Sequence, residues 1–184
     1  MLYPLPVVMV SCGDCPDNYN IITVAWTGTV CSDPPMCYIS IRKDRHSHPI
    51  ISKNKEFVIN LTTEALAKAT DWCGVRSGRD YNKFKEMHLT PEKADVVKAP
   101  MIAESPLNIE CKVVEIKELG SHDMFLAEVV AVHGDEKYFD PSTGVFQLNQ
   151  AELITYSHGK YYTLGEKIGK FGFSVENIQH KRKK

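Results

Sequence analysis

The pattern of apolar and polar positions along the chain is that of many short strands separated by turns. Seven segments rich in β-branched and aromatic residues, or nearly alternating in polarity, have the features of strands. They are, in chain order, residues 5–11, 21–27, 36–42, 56–61, 107–119, 124–133 and 161–164. The stretches between them are rich in Gly, Asp, Asn and Pro, which favour turns. The pattern therefore predicts a mostly β protein of barrel or sandwich type.

Three segments have the spacing of short helices instead. Pro49 suits the first turn of a helix over residues 48–54, because a proline there loses no helical hydrogen bond. Thr63 can cap a helix over residues 63–72. Residues 79–87 are a third candidate helix. We therefore expect two or three helices to accompany the strands.

Length and composition describe one ordinary globular domain. The chain has 184 residues, of which 43% are hydrophobic and 24% charged, and we assign residues 1–184 to a single domain. The net charge of −1 argues against a nucleic-acid partner. No apolar run reaches the roughly 20 residues that span a bilayer, so we expect no membrane segment. The basic run over residues 180–184 is expected to be a solvated terminus.

The first residues lack the basic and apolar regions of a signal peptide, so a cytoplasmic location is expected. In that compartment the six cysteines should be reduced thiols. Cys12 and Cys15 form a C-x-x-C, but a Pro-Asp-Asn turn follows it rather than a helix that would lower a thiol pKa. The pattern favours a turn with two free thiols. An accessory redox pair and a metal site are the alternatives, and we expect no metal.

The densest mixture of cations and hydroxyls inside the chain lies between a predicted strand and a predicted helix. It consists of Arg42, Lys43, Arg45, His46, Ser47 and His48. A helix N-terminus with arginines beside it suits a phosphate. A solvated basic turn explains the same residues equally well. No G-x-G-x-x-G, Walker or G-x-S-x-G motif is present to name a ligand or a reaction.

Several short motifs, in order along nearly the whole chain, resemble the flavin reductase-like family and, more narrowly, its flavoredoxin branch. They are NIITVAWTGT (20–29), DPPM (33–36), SIR (40–42), FVINL (57–61), TDWCGVRSGRD (70–80), LG (164–165) and IGKFGFS (168–174). The resemblance implies a six-stranded, Greek-key-like split barrel. It also implies a homodimer that binds one FMN per subunit at the subunit interface.

The resemblance also implies which residues hold the cofactor. The strand edging the flavin ring would supply Thr23, Val24, Ala25, Trp26 and Thr27. The phosphate and ribityl chain would contact Ser40, Ile41, Arg42, Arg45, His46 and Ser47. Asn60 and Leu61 would border the ring or the ribityl chain. Ser77 and Arg79 would close over the cofactor, and Lys83 would reach the phosphate; a helix C-terminal turn is the alternative for this loop.

One histidine is a candidate catalytic residue. The stretch GSHDMFLAEV (120–129) resembles the family pattern Gly-x-His-x-x-x-x-Gly-x-Val. There the histidine helps to position nicotinamide or substrate near the flavin, so the resemblance assigns this role to His122. Ala127 departs from the pattern, since glycine is usual at that place. A surface histidine on a hairpin is the alternative.

The chain is thus expected to be an FMN-binding oxidoreductase, an NAD(P)H-dependent flavin reductase in which hydride passes from nicotinamide to flavin N5. The first alternative is a flavoredoxin-type electron-transfer protein with permanently bound FMN and a protein partner. A non-catalytic flavin-binding module and a thiol-redox protein that uses Cys12 and Cys15 are further alternatives.

Overall fold

A computed structural model describes residues 2–176 as strands joined by short helices and turns. The predicted basic tail lies outside the described residues. The strands are β1 (Leu5–Pro6), β2 (Val8–Cys12), β3 (Asn20–Val24), β4 (Thr27–Ser32), β5 (Pro35–Arg42), β6 (Glu56–Leu61), β7 (Pro91–Glu92), β8 (Met101–Ile102), β9 (Leu107–Glu118), β10 (His122–Gly134), β11 (Ile154–Ser157) and β12 (Lys160–Thr163). The α-helices are α1 (Ser47–Asn54), α2 (Ala67–Val75) and α3 (Lys83–Glu86).

Seven of the strands form one antiparallel sheet in the order β3-β2-β6-β9-β10-β5-β4. The two outer strands, β3 and β4, follow each other in the chain, separated only by Ala25 and Trp26. The Ser40 amide on β5 donates to the Trp26 carbonyl at 2.8 Å, which holds this junction against the far side of the sheet. The sheet therefore curls into a barrel of six strands, with β3 and β4 counted as one bent strand. The mostly β prediction is confirmed.

The barrel encloses the main hydrophobic core. Phe57 and Phe125 are fully buried there, together with Ile39 of β5 and Ile51 of α1. Alternating residues of each strand face inward, as the period of a strand requires. A second core lies where α2 and α3 pack on β2 and β3, and Met9 and Ile21 lie at its centre.

Two segments predicted as single strands are each divided into two shorter strands, which pair with different neighbours. The segment over residues 5–11 divides at Val7, because β1 pairs with β11 while β2 pairs with β3 and β6. The segment over residues 21–27 divides at Ala25, where the chain bends from one edge of the sheet to the other. Both breaks depend on pairing with distant strands.

Two predicted helices begin later than expected. The second begins at Ala67, because Thr63 instead forms a bridge with Leu153. The third is the single turn of α3, which is capped by the Asn82 side chain. The first helix is confirmed, and it begins at Ser47.

A smaller sheet in the order β1-β11-β12 lies beside the barrel. Strands β11 and β12 form a hairpin whose turn contains His158 and Gly159, both with positive φ. In residues 2–176, no helix has the length and apolarity to cross a membrane.

Candidate functional site

Two adjoining cavities lie along β3. The larger one, called here the strand cavity, has a volume of about 380 Å³, and the smaller one, called the cation cavity, has a volume of about 180 Å³. Ile22, Arg45 and Gly74 line both of them. The two cavities thus form one elongated site with chemically different ends.

Strand β3 and its continuation line the strand cavity with Ile22, Thr23, Val24, Ala25 and Trp26. Because β3 is an outer strand of the described sheet, one edge of its backbone has no strand partner. Its peptide N–H and C=O groups are therefore free to hydrogen-bond a planar ligand. An apolar slot beside such an edge suits a heteroaromatic ring.

Helix α2 approaches β3 closely on this side. The Thr23 hydroxyl donates to the Thr70 carbonyl, and a Cβ on Gly74 would lie 3.1 Å from the Thr23 Cβ. Glycine at this position keeps the contact free of steric overlap. The Thr23 side chain thus fastens α2, while the Thr23 backbone faces the site.

The rings of Trp26 and His122 pack together at the strand cavity in a tilted arrangement, with centroids 4.5 Å apart and an interplanar angle of 34°. His122 is the first residue of β10 rather than part of a loop, and it lies opposite Arg42 of β5. Burial, and to a smaller extent Arg42, lowers the pKa of His122. The imidazole is therefore mainly neutral at pH 7.

Asp71 and Gly74 of α2, with the β11–β12 hairpin, form another wall of the strand cavity. The Tyr161 hydroxyl donates to the Asp71 carboxylate at 3.0 Å. Burial and this carboxylate raise the pKa of Tyr161, so its phenol stays protonated.

The cation cavity concentrates positive charge. It is lined by Arg45, His46, Arg76, Arg79 and Lys83, against the single carboxylate of Asp44. Within the described residues, neither the three arginines nor the lysine forms an ion pair with a carboxylate. The N-terminal residue of α1, Ser47, also lines it, so the helix dipole adds to the attraction for an anion.

Lys83 lies at the buried end of this cavity. Its side chain belongs to a residue only 3% exposed, and its Nζ donates to the Cys73 carbonyl at 2.6 Å. Burial, with a contribution from Arg45, lowers the pKa of Lys83 to about 8. A buried ammonium without a carboxylate beside it is costly, and a bound phosphate would offset that cost.

A tight contact positions the loop that borders the cation cavity. The Asn20 side chain donates to the Ser47 hydroxyl at 2.7 Å. A Cβ on Gly78 would lie 2.1 Å from the Asn20 Oδ1 and 2.8 Å from the His46 ring. Gly78 is thus required for the loop to approach β3 and α1.

Most residues predicted for the cofactor line one of the two cavities. The strand cavity is lined by Thr23, Val24, Ala25, Trp26, Ser40, Ile41, Arg42 and His122. The cation cavity is lined by His46, Ser47, Ser77, Arg79 and Lys83, and Arg45 lines both. Arg42, predicted for the phosphate, thus lies at the strand cavity instead, where it pairs with Asp44 at 3.4 Å.

Three predicted residues line neither cavity. The Thr27 hydroxyl donates to the Tyr38 carbonyl at 2.7 Å, and Leu61 packs against the barrel core. Asn60 is buried on the opposite face of β6 from Phe57 and Ile59.

The Asn60 side chain is occupied by internal hydrogen bonds. Its amide nitrogen donates to the Met9 carbonyl at 2.9 Å, and its oxygen accepts from the Ile102 amide at 3.0 Å and from Asn108 at 2.7 Å. Asn60 therefore joins β6 to β2 and β8. Asn60 lines neither cavity and its polar atoms already have partners within the protein, so its contact with the ring or ribityl chain stays a prediction.

Other lining residues were not predicted from the sequence. They are Val7, Asn20, Ile22, Asp44, Asp71, Cys73, Gly74, Val75, Arg76, Gly78, Tyr156, Gly159 and Tyr161. Several of them lie inside the family-like motifs, which could have identified them as site residues. No sequence motif identifies Tyr156, Gly159 and Tyr161, because their place in the site depends on how the hairpin docks.

Cys12 and Cys15, the two cysteines of the C-x-x-C motif, do not form a reactive pair. Cys12 is fully buried, and burial raises its pKa to about 12, while Cys15 is exposed. All six cysteines are free thiols. A thiol-redox role would need an accessible thiolate, which Cys12 does not provide.

Three potential metal ligands, Asp95, Glu110 and His133, lie close together in the described part of the chain. The buried Glu110 carboxylate already accepts hydrogen bonds from the amides of Asp95, Val96 and Val97 and lies 2.6 Å from His133 Nε2. These bonds occupy both oxygens. Glu110 therefore anchors the loop before β8 to β9.

A model of a known protein family matches this sequence over most of its length. The model of the flavin reductase-like domain matches residues 1–165. The chain belongs to the flavin reductase-like family. Two solved flavoredoxins have the same fold. That of Desulfovibrio vulgaris (Miyazaki F) is 30% identical, with 95% of this chain and 94% of that one covered at a TM-score of 0.86. That of Methanosarcina acetivorans is 25% identical, with 97% and 94% covered at a TM-score of 0.86.

An uncharacterized protein of Archaeoglobus fulgidus is 30% identical over 162 residues, which cover 88% of this chain and 89% of that protein. The comparisons confirm the family resemblance and the split-barrel fold expected from the sequence. They also support a flavin-related oxidoreductase role for this family member.

Proposed function

We propose that the chain binds FMN with the phosphate in the cation cavity and the ring in the strand cavity, and that it is an NAD(P)H-dependent flavin reductase. The observation that carries the proposal is the buried Lys83 ammonium, surrounded by arginines without carboxylate partners, at the end of a cavity continuous with a free strand edge. A dianionic phosphate is complementary to the positive charge of the cation cavity, and a heteroaromatic ring is complementary to the strand edge beside the strand cavity.

Bound FMN would supply the redox chemistry, since its N5 accepts hydride from a nicotinamide and its reduced form passes electrons to an acceptor. The protein residues bind and orient. Arg45 lines both cavities and would therefore lie between the phosphate and the ring. The free edge of β3 would hydrogen-bond the polar edge of the ring, and Trp26 and α2 would flank the ring in the strand cavity.

His122 would orient the second substrate. It packs against Trp26 at the strand cavity, and its lowered pKa keeps it neutral, so it can donate or accept one hydrogen bond without adding charge. A nicotinamide carboxamide offers both a donor and an acceptor to such a group. The role is orientation rather than acid–base catalysis, because hydride transfer between two stacked rings needs alignment.

An absorption spectrum of the purified protein tests cofactor binding. We expect flavin absorption, and denaturation should release FMN. Anaerobic addition of NADH or NADPH should then bleach the flavin, and excess free flavin should be reduced catalytically. A colourless protein that also takes up no added FMN would exclude both the reductase and the electron carrier.

Replacing Arg45 tests the placement of the phosphate. Arg45→Ala should weaken FMN binding about tenfold to a hundredfold, the loss of one charge-assisted contact. Riboflavin, which lacks the phosphate, should lose much less affinity. Lys117→Ala removes an exposed cation on β9 and serves as the control. Equal effects of the two substitutions, measured by fluorescence titration, would contradict the assignment.

A flavoredoxin-type electron carrier is the second candidate, because a protein 30% identical over nearly the whole chain is a flavoredoxin. In that case FMN stays bound, and a reduced protein partner bleaches it while NADH and NADPH do not. A protein that binds FMN and is bleached by neither would be a non-catalytic flavin-binding module.

We also propose that the protein is a cytoplasmic homodimer. Among the described residues, the segment after β12 exposes apolar side chains, including Ile168 at 93% and Phe171 at 106% relative exposure. Burial against a second copy would remove this surface from water.

A further inference from the structure

The β11–β12 hairpin contributes a wall of the strand cavity through Tyr156, Gly159 and Tyr161. Its position therefore decides how far that cavity is closed. The barrel side of the molecule holds only the start of the hairpin, where the Ile154 amide donates to the Thr62 carbonyl at 3.1 Å, and the rest of the hairpin belongs to the smaller sheet.

The hairpin is attached unevenly. Its inner strand β11 pairs with β1 through Tyr156 and Thr155, and the Thr155 hydroxyl donates to the Leu5 carbonyl at 2.6 Å. The outer strand β12 pairs only with β11 in the described structure. The outer strand thus depends on side-chain contacts to stay against the body of the protein.

Tyr161 makes such a contact. Its hydroxyl reaches across to α2 and donates to the Asp71 Oδ1 at 3.0 Å, and both residues line the strand cavity. Among the hydrogen bonds of residues 2–176, this is the one that joins the hairpin to α2. The Tyr156 and Tyr161 rings meet at 5.7 Å and 62°, which orients the phenol.

We propose that Tyr161 is a positioning residue that, through Asp71, fixes the β11–β12 hairpin against α2 and thereby closes the strand cavity over the ring of the bound flavin. The inference rests on the proposed function for the identity of the ligand. The Tyr161–Asp71 hydrogen bond, called here the latch, does not depend on the identity of the ligand, because both of its partners belong to the protein.

The test compares two tyrosines on the same strand. Tyr161→Phe removes only the hydroxyl, and Tyr162→Phe makes the same change at a half-exposed position that lines neither cavity. Tyr161→Phe should raise the FMN dissociation rate constant about fivefold to tenfold, the effect of losing one hydrogen bond to a charged group. Tyr162→Phe should leave it unchanged. The recovery of FMN fluorescence on dilution measures the rate.

Variants of Asp71 test whether the partner acts through the same bond. Asp71→Asn keeps the accepting oxygen and should stay within about twofold of the wild type, whereas Asp71→Ala should match Tyr161→Phe. The double variant Tyr161→Phe/Asp71→Ala should dissociate no faster than either single variant, since coupled residues are not additive. Additive effects, or equal rates for Tyr161→Phe and wild type, would overturn the proposal.

Hydrogen exchange separates this proposal from the identity of the ligand. In FMN-free protein, the backbone amides of β12 should exchange faster in Tyr161→Phe than in Tyr162→Phe, while those of β9 stay equal. Failure of the wild type to bind FMN would contradict the proposed function only. Equal exchange of β12 in the two variants would contradict the latch whatever the ligand.

Discussion

A charged residue at the site can lower the stability of the folded protein and still strengthen ligand binding. Lys83 is the clearest example. Its ammonium is buried beside Arg45 and donates only to a carbonyl, so its pKa lies near 8 instead of the ordinary 10.5. Between these two pH values the unfolded chain holds a proton that the folded chain has lost. The stability of FMN-free protein therefore rises with pH across this window.

Replacing this lysine should separate its effect on stability from its effect on binding. Lys83→Met removes a buried charge whose desolvation costs roughly 3 kcal/mol, and it also removes a hydrogen bond that contributes about 1 kcal/mol of stability. Because the first effect is larger, FMN-free variant protein at pH 7 should unfold at a higher denaturant concentration than the wild type. The stability of the variant should not rise between pH 8 and 10.5. Chemical denaturation at several pH values measures both effects, and a less stable variant would contradict them.

The same lysine should make FMN binding depend on pH. A phosphate favours the ammonium form, so binding takes up a proton near pH 8, and the affinity falls as the pH rises above about 8. Lys83→Met should bind FMN more weakly at pH 7 and lose this dependence. Fluorescence titration from pH 7 to 10 compares the two proteins. An identical pH profile in both would exclude Lys83 as the phosphate counter-ion.

His122 lies at the strand cavity, away from Lys83 in the cation cavity. If it orients the nicotinamide, His122→Asn should lower kcat/KM for NAD(P)H about tenfold to a hundredfold and leave FMN affinity within about threefold. His88 is exposed and lines neither cavity, and it has a positive φ that asparagine tolerates. His88→Asn is thus the matched control in steady-state assays. Unchanged kcat/KM in His122→Asn would exclude the role.

Elements position these residues through close backbone approaches. The loop after α2 reaches the cation cavity because Gly78 leaves room for Asn20 and His46, where a Cβ would overlap both. Helix α1 begins at the same cavity, and β3 supplies a free edge to the other one. The site is therefore a product of how helices and loops dock on one outer strand.

Gly78→Ala tests this docking. The added methyl should displace the loop, weaken FMN binding about tenfold and lower stability by about 1–3 kcal/mol, the usual cost of overpacking. Gly165 has nothing within 4 Å of its Cβ position, so Gly165→Ala is the control. Thermal unfolding and FMN titration of both variants measure the effects, and equal results would contradict a packing requirement at Gly78.

At the scale of the whole molecule, the single chain leaves apolar surface exposed beyond the barrel. If a second copy covers Phe171, Phe171→Asp should weaken the dimer by about 2 kcal/mol or more, roughly 30-fold in Kd. Lys167→Ala changes an exposed cation in the same segment and should have no effect. Light scattering across a concentration series compares them. A wild-type monomer at all concentrations would contradict the dimer.

The local pattern of the sequence was sufficient for the strand content, the helix over residues 48–54 and the basic cluster beside it. These features follow from the period of side chains and from turn chemistry, which act between near neighbours. The family-like motifs pointed to a flavin, which composition and spacing alone could not name, and added lining residues outside the basic cluster, such as Thr23, Trp26 and Lys83.

Only the tertiary structure decided which residues meet. Asn60 stands in a family-like motif, yet the alternation of β6 turns it away from the cavities and into a network with Ser11 and Asn108. Tyr161 and Asp71 lie 90 positions apart and carry no motif in common, yet they share a wall of the site. Such contacts depend on strand pairing and docking between distant segments, and no local propensity encodes them.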